Sequence, residues 1–338
     1  MAFKRVEAKL PTLAFNKIAI VKDMPSVDEA LKGEFGHGND TDLLRQLLHR
    51  AGIEYSSCYV TSVLREYPLN GDIKRLFMGK LEAKAKDFSG MQHKLGVLRP
   101  EYFHEFLRLF KELAAIKPNV IIALGELALW ALTRKEGIKT YRGTVIPSVC
   151  GKVVASYSLE DAFKKWDMLP VIAADFSKAA RESLSPESSF KRRTIYVAEN
   201  KEDLDAFHTT WHSQCNRIAF DVETDPTPPR ITSYSIAPNS SVALVVDVDK
   251  LGDGWALGYY LPRWVDKVWI GHNILYDLVW VELYGIKPER CEDTMLMHHS
   301  WQLELQKGLG FVGSLHCNEM PWKELRVKAK SKINKEGD

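Results

Sequence analysis

The sequence predicts a two-domain α/β protein, a parallel-sheet domain followed by a domain built on a sheet of mixed strand direction. Three observations carry this expectation. The 338 residues exceed one typical domain, and 45% hydrophobic with 27% charged residues is enough to fill cores. Between Asn16 and Glu182, short β-branched runs alternate with helical periods, the pattern of a parallel sheet. The stretch SLSPESSFKRR then interrupts all periodicity.

In chain order, KIAIV, CYVTSVL and NVIIALG read as strands. TDLLRQLLHRAG, EFLRLFKELAAI and ELALWALTR read as helices between and after them. This gives a first domain over 1–182, a linker over 183–193 and a second domain over 194–338. In the second, RTIYV precedes a helix from Lys201 to His212, and RIAFDVETD, ITSYSIA and SVALVVDVD follow as strands. From Asn273 the pattern turns helical through ILYDLVWVELYG and DTMLMHHSWQL, ending in the Lys-rich VKAKSKINKEGD, expected to be frayed.

A formal net charge of +2 demands no polyanionic partner, although Lys191, Arg192 and Arg193 form a local basic cluster. The five cysteines are scattered, with no C-x-x-C, which argues against a disulfide framework and against a cysteine metal cluster. A reducing cytoplasm fits that usage. The N-terminus lacks a signal-peptide apolar run, and no stretch reaches the roughly 18 apolar residues of a membrane span.

The chemistry gathers in the second domain. Asp221 and Glu223 follow the apolar run IAF in D-x-E spacing, and alternate residues of a strand share a face. In GHNILYDLVW, Asn273 and Asp277 stand at i and i+4, one helical turn apart and expected on one face. Three carboxylates from two rigid elements suit Mg²⁺ or Mn²⁺, hard ions that take oxygen ligands and that in pairs cleave phosphodiesters. Either motif alone is more often a loop pair or a solvated surface; their order together, on a strand and then a helix, favours the site.

DVET and HNILYD resemble the first two motifs of the DEDD-type 3′-5′ exonuclease domain of family A DNA polymerases, and DTMLMHHSWQLELQKGLGFVGS is similar to the connecting helices of phage versions. The resemblance implies a ribonuclease-H-like fold. It also implies that Asp221 bridges both ions, that Glu223 holds the ion activating water, and that Asp277 holds the other. Thr224, His272 and Asn273 would face single-stranded DNA at its 3′ end. The family's third motif, Y-x-x-x-D, has no counterpart: Tyr276 and Tyr284 lie in or beside the second motif, Asp338 has no tyrosine four residues before it, and Asp293 reads as a helix N-cap. The implied partner is a polymerase part, downstream or separate, that supplies this motif. The alternative is a silent DNA-docking module of a polymerase. A viral origin would place the protein in the host cytoplasm.

The first domain resembles the uracil-DNA glycosylase superfamily, in the version fused ahead of some phage polymerases. IAIVKDMPSVDEALKGEFGHG looks like its first motif, with Asp23 as the acidic residue and Phe35 as the stacking aromatic; YVTSVL, ALGELALWALT, TYRGTVIPS and VVASYS follow in family order. Ser62 stands where an asparagine would read the base, and Ser158-Leu159 where His-Pro would stabilise the leaving anion. The pocket is therefore expected to be degenerate, with active base excision as the rival reading. His37 and Asp40, in a Gly- and Asn-rich loop, read equally as turn residues.

Overall fold

The computed structural model describes residues 2–187, 189–190 and 192–321. The Lys-rich tail lies outside the described residues. The chain divides into two units, Met1–Ser189 joined by the segment from Gly313, and Phe190–Val312.

In the first unit, β1 (Ile18–Lys22), β2 (Tyr59–Ser62), β3 (Val120–Leu124), β4 (Val145–Ser148) and β5 (Gly151–Ser156) form one sheet in the order β2-β1-β3-β5-β4. All neighbours run parallel except β4, which pairs antiparallel with β5. Every residue of β1, β2 and β3 is buried, including the polar Lys22, Thr61 and Ser62, because a parallel sheet is covered on both faces. Helix Gly38–Arg50 buries Leu44, Leu47 and Leu48, spaced three and one apart on one face. In helix Glu126–Thr133 six consecutive residues are buried, and Trp130 sits among Phe77, His93 and Phe106 at ring distances of 5.5, 5.0 and 5.5 Å. The segment from Gly313 is bound into this unit by buried cations. Lys178 Nζ donates to the carbonyls of Ser314 and Cys317 at 2.8 and 2.7 Å, and Arg142, paired with Asp175 at 2.7 Å, donates to Ser314 Oγ.

In the second unit, β6 (Thr194–Val197), β7 (Arg217–Pro226), β8 (Pro229–Asn239), β9 (Val242–Asp247), β10 (Val268–Gly271) and β11 (Arg290–Asp293) form a mixed sheet in the order β11-β10-β7-β8-β9-β6. The meander β7-β8-β9 is antiparallel, and β10 and β11 extend it in parallel. Burial alternates strictly along the start of β7: Ile218, Phe220 and Val222 enter the core while Ala219, Asp221 and Glu223 face out. Phe220 packs on Trp269 with ring centroids 4.2 Å apart, and Trp269 donates to the Trp264 carbonyl. No helix among the described residues is long and apolar enough to cross a membrane.

Candidate active site

Strand β7 pairs with β10 only from Arg217 to Ala219. Beyond that point the backbone on that side needs another acceptor, and helix Ile274–Glu282 provides it: the Val222 N–H donates to Asp277 Oδ1 at 2.9 Å. This one bond carries the buried Asp277 carboxylate to the strand segment between exposed Asp221 and exposed Glu223. Burial first, and then repulsion from Asp221 and Asp293, push the Asp277 carboxyl up to about 6, against the hydrogen bond from Val222. A carboxylate so placed gains from a nearby cation.

Asp293 serves the same corner as scaffold. It caps helix Thr294–Trp301 through Met295 and Leu296 N–H, as its sequence context predicts, and it also accepts from the N–H groups of Asn273 and Ile274. One carboxylate therefore holds the start of both site helices. Asn273 departs from the expectation of a shared helix face. It lies ahead of the helix with φ 62°, in the left-handed region that asparagine tolerates, so it is exposed where Asp277 is buried. His272 has both ring nitrogens engaged, Nδ1 with Thr294 Oγ1 at 3.0 Å and Nε2 with the Lys307 carbonyl at 2.6 Å. Its ring thereby ties the turn ahead of Asp277 to Thr294 and to the Lys307 backbone. Thr224, past a bulge in β7, shares a 2.6 Å hydrogen bond with the Tyr276 hydroxyl at the rim, a partner the sequence reading had not assigned to it.

Among the described residues, no three His, Cys, Asp or Glu side chains are drawn together as a ready-made metal cluster. The donor chemistry nevertheless fits a hard divalent ion. Asp221 and Glu223 share the outward face, and the third carboxyl beside them is raised by burial and by like charge.

The residues at the glycosylase-type positions of the first unit all have structural partners. Asp23, at the end of β1, accepts from the Ala128 N–H at 2.7 Å and so caps helix Glu126–Thr133 from outside it; burial pushes its carboxyl up to about 7. Gly125 permits this approach, since a Cβ there would lie 2.3 Å from Asp23 Oδ2. Ser62 donates to the Leu64 carbonyl at 2.5 Å. Ser158 caps helix Leu159–Lys164, accepting from the Asp161 N–H. Phe35 is buried with the Lys22 ammonium 5.9 Å from its ring. Lys22 is itself paired at 2.6 Å with Glu29, a fully buried carboxylate that the sequence reading missed. A capping box at Ser26 was the available signal, because its Glu29 sits three residues on. Lys22, Asp23, Asp40 and Ser158 line a small cavity of about 70 Å³.

Two families match this chain in sequence order. Residues 14–184 match the uracil DNA glycosylase superfamily, and residues 197–318 match a 3′-5′ exonuclease family. No curated protein matches. Similar solved structures include the EXD2 exonuclease domain soaked in Mn and GMP, at 16% identity and TM-score 0.28, covering 33% of this chain and 62% of that one. The same domain soaked in Mg is 16% identical at TM-score 0.28, covering 42% and 83%. The catalytic core of RRP6 from Trypanosoma brucei is 18% identical at TM-score 0.32, covering 38% and 36%. The chain thus spans less than two thirds of the first of these structures. With residues 14–184, half of its length, inside the first family, the chain belongs to the uracil DNA glycosylase superfamily and carries a 3′-5′ exonuclease domain, built on a mixed sheet, behind the glycosylase-like one.

Proposed function

We propose that the domain over 194–338 removes nucleotides from the 3′ ends of single-stranded DNA by divalent-metal-assisted hydrolysis, as the proofreading part of a phage-type DNA polymerase. The observation that supports this reading is the bond from the Val222 N–H to Asp277, which ties a buried carboxyl of raised pKa to the residue that stands between Asp221 and Glu223 in the strand. Asp221, Glu223 and Asp277 would hold Mg²⁺ or Mn²⁺. Such ions supply a hydroxide at neutral pH and stabilise the departing 3′ oxygen. The protein's own contribution is orientation: Asp293 fixes the origin of both helices, His272 fastens the turn before Asp277, and the Thr224–Tyr276 hydroxyl pair offers donors at the rim. Asn273, exposed at the helix start, is placed to meet the DNA backbone. The reading includes a polymerase part, in this polypeptide or another, that supplies a Y-x-x-x-D segment.

The glycosylase-like domain, over 1–182 with a linker over 183–193, keeps the fold without base excision. This rests on the hydrogen bonds that occupy Asp23, Ser62 and Ser158. The test is release of nucleotides from 3′-labelled single-stranded DNA with Mg²⁺ or Mn²⁺, by the chain alone and with a Y-x-x-x-D segment added. Asp221→Ala should abolish release, and the added segment should raise it about 10- to 100-fold. Activity surviving in Asp221→Ala would remove the site assignment. Metal-independent alkali-labile sites in uracil-containing DNA would restore the glycosylase.

A further inference from the structure

The chain leaves the first unit after Ser189, builds the second, and returns to the first at Gly313. Residues 313–318 thus belong to the exonuclease-type stretch by sequence and to the glycosylase-like unit by contact.

The surface that receives this segment is made of buried charge. Lys178 and Arg142 are at most 1% exposed. An ammonium has three N–H donors. Those of Lys178 go to the carbonyls of Gly143, Ser314 and Cys317, so two of its three acceptors arrive with the segment. Ser314 and Cys317 stand at the end of helix Leu309–His316, where the last carbonyls of a helix are beyond reach of its own N–H groups and a cation serves as their cap. Arg142 is paired with Asp175 and spends Nη1 on Ser314 Oγ at 3.0 Å. Gly143 admits the segment this closely, since a Cβ there would lie 2.6 Å from the Ser314 carbonyl oxygen. Further along, Asn318 Nδ2 donates to Glu182 Oε1 at 2.8 Å and to Ser189 Oγ at 2.7 Å, while the other Glu182 oxygen is paired with Lys152. Met320 packs against the apolar cluster that holds Tyr141, Ile146 and Val153. Without the segment, a buried ammonium would keep one acceptor of three, a state that costs far more than the loss of a surface contact.

We propose that Arg142, Gly143, Lys178 and Glu182 form a clasp, a binding site for a helix end that presents its carbonyls, and that Ser314–Met320 is its occupant. The clasp ties the first unit to the polypeptide downstream of the second a second time, independently of the linker. The glycosylase-like unit thereby has a use that needs no base excision. The clasp involves no catalysis, so it stands or falls apart from the nuclease reading.

The test uses the full chain with a recognition site for a sequence-specific protease inserted after Phe190, where the two units join. After cleavage, the fragments should co-elute in native size-exclusion chromatography and separate only in denaturant. Asn318→Asp combined with Met320→Asp sets a carboxylate against Glu182 and a charge against the apolar cluster, and should weaken the association of the cut fragments by about 100-fold or more. Both changes lie on the occupant, so the charge network of the first unit is untouched. Lys178→Met removes the clasp from the other side and should act in the same direction. Hydrogen exchange on the uncut chain gives a second reading: amides over 314–317 should exchange at least about tenfold faster in the double variant, with those of β7 unchanged. If the cut wild-type fragments separate without denaturant, or if those of the double variant stay together as the wild type does with 314–317 equally protected, the proposal is overturned.

Discussion

The raised pKa of the half-buried Asp23 makes the stability of the first unit depend on pH in a direction opposite to that of most aspartates. Its pKa stands at about 7 in the folded chain against an ordinary 3.8, mainly because burial penalises its charged form. Between those values the folded state binds the proton and the unfolded state does not. Stability therefore falls as pH rises from about 4 to about 7 and is level above that. At about 1.4 kcal/mol for each pH unit, the loss amounts to at most roughly 4 kcal/mol, an order-of-magnitude figure that solvent in the cavity lined by the half-buried Asp23 reduces. Asp23→Asn keeps an oxygen for the Ala128 N–H and removes the ionisation, so its stability should lack this slope and gain on the wild type by roughly that amount between pH 4 and pH 8. Urea unfolding at several pH values, with amide exchange at Ala128 to localise the effect, measures both profiles. Parallel profiles for the two proteins would refute the argument. Asp23→Ala leaves the Ala128 donor without its acceptor and should be less stable than Asp23→Asn at every pH, by about 1–3 kcal/mol.

Glu29→Gln breaks a buried pair with Lys22, and urea unfolding should show a loss of about 3–5 kcal/mol. Asp277→Asn should keep the fold while lowering 3′-end release about 10- to 100-fold. The Asp277 carboxyl is at about 6 without metal, so protons compete with the ion, and Mg²⁺ or Mn²⁺ affinity should fall by about tenfold for each pH unit below that value. Carbon-detected NMR without metal should find the carboxyl there, and an ordinary value near 4 would count against the site. Asp293→Asn preserves an N-cap and removes a like charge, so the Asp277 carboxyl should titrate lower in that variant, whereas Asp293→Ala should cost about 1–2 kcal/mol of stability.

The strand carrying Asp221 and Glu223 was readable because Ile218, Phe220 and Val222 alternate with them, and a period of two leaves no freedom over which face is buried. Ser158 as a cap is likewise written in its S-x-x-D spacing. What the sequence hides are contacts between distant segments. The Val222–Asp277 bond exists because β10 stops pairing with β7 at Ala219, a matter of strand length and packing. The His272–Lys307 bond spans 35 residues, and Lys178 reaches Ser314 across 136, so no local pattern announces either. Asn273 was misplaced onto a helix face because an i, i+4 rule presumes helical φ at both ends, and its backbone is left-handed.

Two aspartates with raised pKa values, Asp23 and Asp277, show why the shift alone does not locate chemistry. Burial is the leading cause for both, and each accepts a backbone N–H that would otherwise lack a partner. The difference lies in what surrounds them. Asp23 takes its hydrogen bond from the start of a helix whose body is buried, with Gly125 close against it, and the buried Lys22 lines the same small cavity. Asp277 is bonded from one oxygen to the rim of a sheet, with Asp221 adding to its pKa from the outward face. The charge there is relieved by a cation or a proton, and only the cation leaves the carboxylates free to act as ligands. The same physical effect thus serves as a clamp in one unit and, in the other, belongs to the carboxylates of the proposed site.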